Sequence, residues 1–398
     1  MTNQAPQLTE HKQESAGRVD ALADRLLAFS HRLHAQPETG LNEEMAATWL
    51  VGELSGIEGI RIQHGLGSLP TAVRAEIGNG PLVAVICAEY DALPGLGHAC
   101  GHNIIAAAGL GAFLALAPAA DELGLTLRLL GTPAEETVGG KVIMLRQGDF
   151  DGSHLAVMVH PSNRDESSML AYACVGLDVA FSGKAAHASD EPYKGVNALD
   201  AMTLAMNAVA LARQQLEPNQ QMHGIITAGG QASNIIPDHI AGEWMVRADS
   251  LESLDRVKAR WRRCFEGAAL ATGATVEIKE NGEVFTDMLP HPGLTAAYVK
   301  NAAALGHHCD DSGVLNGSTD MGNVSHHVAS IHPMISLDDD GPDGHTHEFA
   351  SAAVSPGGDA AALNGAKALA ATIIDAALDA GLRAELLLKP CRASELMA

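Results

Sequence analysis

The sequence predicts an α/β fold: a mixed, largely parallel sheet flanked by helices, interrupted by an inserted ferredoxin-like α+β domain. Three observations lead there. The run 82–88 is apolar at every position, as in a strand covered on both faces. Strand-like and helix-like segments alternate through roughly the first 160 residues, the order of a parallel sheet with helical crossovers. Between about 174 and 279 the order becomes β-α-β-β-α-β, the ferredoxin-like arrangement. At 398 residues the chain is long enough for two domains.

Each element has its own signal. Residues 1–15 are polar, without an apolar signal core, and are expected to be a flexible N-terminus. Val19, Leu22, Leu26, Phe29 and Leu33 recur at helical steps and predict a helix over 16–34, stopped by Pro37. Asn42 heads a second helix to about 54. An alternating strand at 71–77 turns through Gly78-Asn79-Gly80-Pro81 into 82–88. Helix 103–117, strand 126–130, helix 140–146 and strand 155–159 follow. Alternation at Val175, Leu177, Val179 and Phe181 marks a half-exposed strand over 174–181. Helix 196–216, strands 223–227 and 240–247, helix 251–268 and strand 275–279 complete the insert. Asp249, with Glu252 three residues on, is the expected cap of helix 251–268. After Pro290 and Pro292 helices return, ending in a long one over 358–380. The domain plan is therefore 16–172 with 292–398, and an insert at 173–291.

Composition narrows the partners. With 25 Lys+Arg against 48 Asp+Glu, the net charge of −23 repels nucleic acid and anionic membranes. Aromatic residues, at 4%, are too few for base-stacking platforms. Residues 104–120 are uncharged, but they are rich in Ala and Gly, contain Pro118 and fall at the short limit for a membrane span. A buried helix is the expectation there, and no membrane partner. Cys87, Cys100, Cys174, Cys264, Cys309 and Cys391 lack the spacing of a disulfide framework, which points to reduced thiols and a cytoplasmic protein.

In open α/β sheets, ligands sit beyond the carboxyl ends of the strands. After 82–88 come Glu89-Tyr90-Asp91 and a loop ending His98-Ala99-Cys100-Gly101-His102-Asn103. After 126–130 comes Gly131-Thr132-Pro133-Ala134-Glu135-Glu136, and after 155–159 comes His160-Pro161. Alone, each has an ordinary reading: a buried Cys beside a surface His, a solvated Glu pair, a satisfied histidine. Together, three successive strand ends deliver thiolate, imidazole and carboxylate groups to one edge, the donor set of Zn²⁺, with Mn²⁺ or Co²⁺ as alternatives. Adjacent Glu135 and Glu136 point differently, so one can bind metal while the other faces the open side. Asn103 is expected to cap the next helix, whose dipole would favour the Cys100 thiolate. His98 is expected to shape the same loop.

The motifs Glu-Tyr-Asp-Ala-Leu-Pro (89–94), His-Ala-Cys-Gly-His-Asn (98–103), Thr-Pro-Ala-Glu-Glu (132–136) and Val-His-Pro (159–161) resemble the M-twenty metallopeptidase family. The match is closest to its amidohydrolase branch, with indole-acetyl-amino-acid hydrolases, aminobenzoyl-glutamate hydrolase and dipeptidase-like proteins related to aminoacylase one. It runs in motif order from about 26 to 380. The resemblance implies two divalent ions per subunit, held by Cys100 as the bridge, His102, Glu136, His160 and His345. It implies that Glu135 is the catalytic carboxylate and that Asp91 stands behind a ligand. It also makes the insert a lid that mediates a homodimer, with His187 reaching the partner's site and Asn234 and Arg247 contacting substrate. Gly-Ser-Thr-Asp-Met-Gly-Asn (317–323) would line the site opposite the metals. Two positions depart from the pattern: His347 follows His345 closely and competes with it, and many members carry Asp where Asn103 stands.

The function implied is hydrolysis of an amide bond in a small N-acyl amino acid or dipeptide, with a water activated at the ions and Glu135 as general base. The rival from another class is a metal-bound small-molecule binding or regulatory protein without catalysis. A cysteine hydrolase using Cys100 and His102 has poor geometry for neighbours in one loop. Asp338-Asp339-Asp340 lacks the glycine and terminal glutamate of a calcium loop and reads as solvated.

Overall fold

The computed structural model describes residues 4–310, 313, 315–338 and 341–396. Asp339 and Asp340 of the acidic run lie outside the described residues. The strands are β1 (Arg61–Leu66), β2 (Leu69–Ile77), β3 (Leu82–Glu89), β4 (Leu125–Thr132), β5 (Leu155–Val157), β6 (His160–Ser162), β7 (Ala173–Ser182), β8 (Gln221–Ala228), β9 (His239–Ala248), β10 (Thr275–Phe285), β11 (Ala329–Ile331) and β12 (Met334–Ser336).

One unit comprises 1–170, 288–314 and 323–398. Its six-stranded sheet has the order β1-β2-β4-β3-β5-β11. The β4-β3, β3-β5 and β5-β11 pairs are parallel, while β1 and β2 run antiparallel at one edge. The centre is parallel because long crossovers connect these strands, and the helix His102–Leu116 is one of them, buried at every residue. The continuous helical stretch His102–Ala119 and the helix Pro356–Leu378 are apolar and long enough to cross a bilayer by length alone, yet both are largely buried against the rest of the protein.

The second unit comprises 171–287 and 315–322. Its antiparallel sheet has the order β10-β7-β9-β8, with helices Ala198–Ala212 and Leu251–Thr272. Trp244, Trp261, Phe265 and Phe181 concentrate the aromatic side chains in its core, with Trp261 and Phe265 centroids 4.2 Å apart.

Several boundaries differ from the sequence expectations, each for a physical reason. Of the N-terminal segment expected to be flexible over 1–15, the described part is helical: Gln4–Ala21 is a helix, and Lys12 Nζ reaches Asp375 at 2.6 Å and Asn301 at 2.8 Å. Polar composition concealed it, because the anchor is an ion pair rather than an apolar stripe. The helix expected over 16–34 is two helices, Gln4–Ala21 and Ala23–Ala35, interrupted at Leu22. Ser250, not Asp249, caps Leu251–Thr272, its hydroxyl accepting from Ser253 N. Residues 315–322 join the inserted unit, because Tyr172 N donates to Gly317 O at 2.9 Å and Arg247 Nη1 to Ser318 Oγ at 2.6 Å. The strand expected over 155–159 ends at Val157, and β6 continues from His160 in a separate pair with β12.

Candidate metal centre

Register sets the site. Glu89 lies opposite Thr132, and Val157 opposite both Ile86 and Ile331, so β3, β4, β5 and β11 all release their chain at the same edge. Beyond those ends stand Asp91, Glu135, His160 and His332. The Cys100 loop arrives beside them through Gly101, whose φ of 77° is left-handed. A Cβ there would meet Pro161 Cγ at 2.4 Å, so only glycine lets the loop lie this close to the His160-Pro161 turn.

Among the described residues the donor atoms fall into three sets, each within 4.8 Å: Cys100 with His102 and His160; Cys100 with Glu136 and His345; and His102 with Glu135 and Glu136. Cys100, His102 and Glu136 each belong to two of them, and Cys100 joins the set that contains His160 to the set that contains His345, the placement of a ligand that can touch two ions. Its Sγ is 3.4 Å from His160 Nε2. His160 Nδ1 sits 2.7 Å from the Pro161 carbonyl, which accepts the Nδ1–H and so leaves the Nε2 lone pair facing the cluster. His345, at φ 63°, donates its N–H to Ala99 O at 2.8 Å and brings Nε2 to 3.6 Å from Glu136 Oε1. His347 instead opens the helix His347–Ala352 and belongs to none of the three sets.

Asp91 organises two of these groups. Its Oδ1 is 2.8 Å from His102 Nδ1, and its Oδ2 accepts the Glu136 N–H at 2.9 Å. This is the carboxylate–histidine support that orients metal ligands. It leaves His102 Nε2 and Glu136 Oε1 buried without a hydrogen-bond partner. A buried polar atom left so costs about 1–3 kcal/mol, and a cation bound at each would satisfy it. The donor set therefore fits a divalent metal.

The electrostatics also fit. Burial, then Glu136, pushes the Cys100 thiol far above its usual range, so the helix dipole does not create a thiolate. That rules against Cys100 as an activated nucleophile, whereas a dication deprotonates a coordinating thiol outright. Asn103 is not the cap: Gly101 occupies that position, and the buried Asn103 amide donates to Ser30 Oγ at 2.9 Å and Ala353 O at 3.1 Å. Burial and the neighbouring His102 hold His160 at about 4, the neutral form a ligand needs. His102 is raised well above its usual value, because Asp91 and Glu89 outweigh its burial.

Under the ligands lies a charged layer that sequence reasoning missed. Glu89 and Lys141, both buried, form an ion pair, and Glu89 Oε2 is 3.3 Å from His102 Nε2. Burial would raise the Glu89 carboxyl, but Lys141 and the histidines overcome it and hold it at about 2. His332 is fully buried with its ring 5.5 Å from that of His160. A signal for it existed: Ile331-His332-Pro333 repeats Val159-His160-Pro161 at the end of the neighbouring strand.

The remaining candidates lie in the second unit. His187 bridges Ile235, and Ala188 N donates to Asn234 O at 3.0 Å, so His187 and Asn234 adjoin near the start of β9. Both are exposed. Arg247 lies at the other end of β9, bound to Ser318 of the 317–323 motif. The length of β9 separates them, roughly 25 Å at about 3.3 Å per residue.

Residues 85–375 match Peptidase family M20/M25/M40. The chain is 38% identical over 397 residues to the Xaa-Arg dipeptidase of Mus musculus, covering 94% of this chain and 90% of that protein. It is 29% identical over 306 residues to the N-acetyl-L-cysteine deacetylase of Bacillus subtilis, covering 68% of this chain and 71% of that protein. In three dimensions it is similar to a dinuclear metal binding peptidase of the same family, also from Bacillus subtilis, with a TM-score of 0.67, 22% identity, and 89% and 99% coverage.

Proposed function

Because this chain belongs to Peptidase family M20/M25/M40, we propose that it hydrolyses the amide bond of a small dipeptide or N-acyl amino acid with two divalent cations bound. The observation that carries the reading is the gathering of Cys100, His102, Glu136, His160 and His345 into overlapping donor sets, beside two buried donor atoms without hydrogen-bond partners. Cys100, His102 and His160 would hold one cation, and Cys100, Glu136 and His345 the other, with Zn²⁺ the first choice and Mn²⁺ or Co²⁺ alternatives. When bound, the cations supply positive charge against the scissile carbonyl and acidify the attacking water.

The protein groups do the rest. Glu135, 9% exposed beside the ligands, takes the proton of the attacking water. As the C–O bond forms and the C–N bond breaks, Glu135 returns that proton to the departing amine. Asp91 keeps His102 and the Glu136 backbone in place throughout. Arg247 is suited to a substrate carboxylate and Asn234 to a carbonyl. The distance along β9 between Arg247 and the His187–Asn234 pair supports a homodimer, in which His187 serves the partner's site. Six cysteines without framework spacing support a cytoplasmic location.

Dipeptides with C-terminal arginine are the first substrates to try, on the strength of the 38% identical Xaa-Arg dipeptidase. N-acyl amino acids, N-acetyl-cysteine among them, and aminobenzoyl-glutamate follow. Metal-loaded protein should hydrolyse at least one of them and lose that activity to a chelator. Tight binding without turnover of any would favour the non-catalytic reading.

A further inference from the structure

We infer that Glu43 is a positioning residue for the reaction: its buried carboxylate locks the left-handed turn at Ala134 from which Glu135 and Glu136 diverge. The inference rests on the proposed roles of those two glutamates. Ala134 has φ 61°, a conformation that side-chain-bearing residues avoid and that persists only when the surroundings hold it. Glu43 holds it from one side, with Oε1 accepting the Ala134 N–H at 2.8 Å. On the other side the Ala134 carbonyl accepts from Gly139 N at 3.0 Å and Val138 N at 3.2 Å. The second Glu43 oxygen is engaged too, accepting from Thr71 Oγ1 at 2.9 Å, so the carboxylate cannot swing away.

Glu43 is itself fixed. It sits at the mouth of helix Glu44–Leu54, and it is fully buried. The helix start is capped by another residue, Glu38, whose carboxylate accepts from Met45 N at 3.1 Å and Ala46 N at 2.9 Å. Glu43 is thus freed from capping its own helix and reaches across to a loop 91 residues away. Gly40 closes the contact: a Cβ there would come within 2.2 Å of Thr137 Oγ1 and 3.1 Å of Ala134. Asp91 restrains the same loop two residues on, through the Glu136 N–H. Between these two carboxylates lies Glu135, so the direction of its side chain depends on both.

The test compares wild type, E43Q, E43A, E43A/A134G and E135Q, all metal-loaded. A misplaced proton-transfer group lowers kcat, so E43A should lose about 10²-fold in kcat with KM within about threefold. E43Q keeps an acceptor for the Ala134 N–H and should stay within about threefold of wild type. Glycine adopts the left-handed conformation freely, so adding A134G to E43A should recover about tenfold of the loss. A structural role alone predicts no such recovery, since A134G adds no contact. Should E43A fail to fold, E43D, too short to reach Ala134 and Thr71 together, takes its place with the same expectation. Wild-type kcat in E43A or E43D, or no recovery with A134G, would overturn the inference. E135Q separates the two claims: if it stays active, the role of Glu135 is wrong; if it is dead while E43A is fully active, only the role of Glu43 is.

Discussion

Asp91 and Glu136 are joined through a backbone hydrogen bond of 2.9 Å, and the same Asp91 carboxylate holds His102 at 2.8 Å. One side chain therefore orients two prospective ligands on different elements. In D91N the amide nitrogen cannot accept from the Glu136 N–H, and two donors face one another. Metal affinity or turnover should fall about 10–100-fold, the usual cost of losing a group behind a ligand. Metal titration alongside kcat checks it; if both stay at wild-type values, Asp91 does not support the centre.

Glu135 should separate chemistry from metal binding. E135Q preserves shape and hydrogen bonding but cannot take a proton. Turnover should drop on the order of 10²–10⁴-fold, with elemental analysis showing wild-type metal content. Loss of metal together with activity would make Glu135 a ligand instead.

Metal uptake by stripped protein should release protons. Cys100 is held as a thiol and His102 as an imidazolium, and coordination needs both deprotonated. Apparent affinity should therefore rise with pH, and calorimetry in buffers of different ionisation enthalpy should show net proton release. Binding heats independent of buffer would contradict this protonation state.

The sequence gathered candidate site residues where chemistry and topology coincide. Asp91, Cys100, Glu135, Glu136 and His160 follow apolar runs, and strand ends in a parallel sheet converge whatever the details of packing. His345 and His347 compete in the sequence, and the loop geometry puts His345 in a donor set through the bond from His345 N to Ala99 O. Glu43, Glu89, Lys141 and His332 stayed hidden, since burial of a charged side chain is a tertiary fact and their local spacing resembles ordinary polarity. Strand β1 was missed because half of its residues are exposed and they carry little alternation. Asn103 was misread because asparagine near a helix start has two uses, capping and packing, and here it packs.

Glu43 should leave a signature in stability against pH. Burial pushes its carboxyl from 4.5 up to about 7, against the hydrogen bonds from Thr71 and Ala134, with Asp91 adding repulsion and Tyr90 close by. A raised acid pKa means the folded state prefers the protonated form. That contribution is complete below about 4.5 and is lost as pH rises through about 7. The stability of wild type relative to E43Q should then fall by up to about 3 kcal/mol across this window. Urea unfolding at pH 4.5, 6 and 8 measures it; a difference that does not vary with pH would show that Glu43 keeps its ordinary acidity.

Lys141 and Glu89 offer the sharpest test of the buried charge layer. Both side chains are at most 1% exposed, so each charge has exchanged water for partners inside the protein, the other among them. K141M takes one of the two cations beside Glu89 away and leaves only His102, which should cost up to about 3–5 kcal/mol of stability. The double variant K141M/E89Q removes both charges together and should recover most of that loss, because replacing a whole buried pair is commonly close to neutral. Chemical denaturation of the four proteins in a double-mutant cycle reads the coupling directly. A double variant as unstable as K141M would mean that Lys141 acts through packing and not as the counter-charge of Glu89. His102 adds a second readout: it faces Glu89 at 3.3 Å, so E89Q removes an anion beside a prospective ligand. Its imidazolium should become easier to deprotonate, and the stripped E89Q protein should release fewer protons on binding metal at neutral pH than wild type.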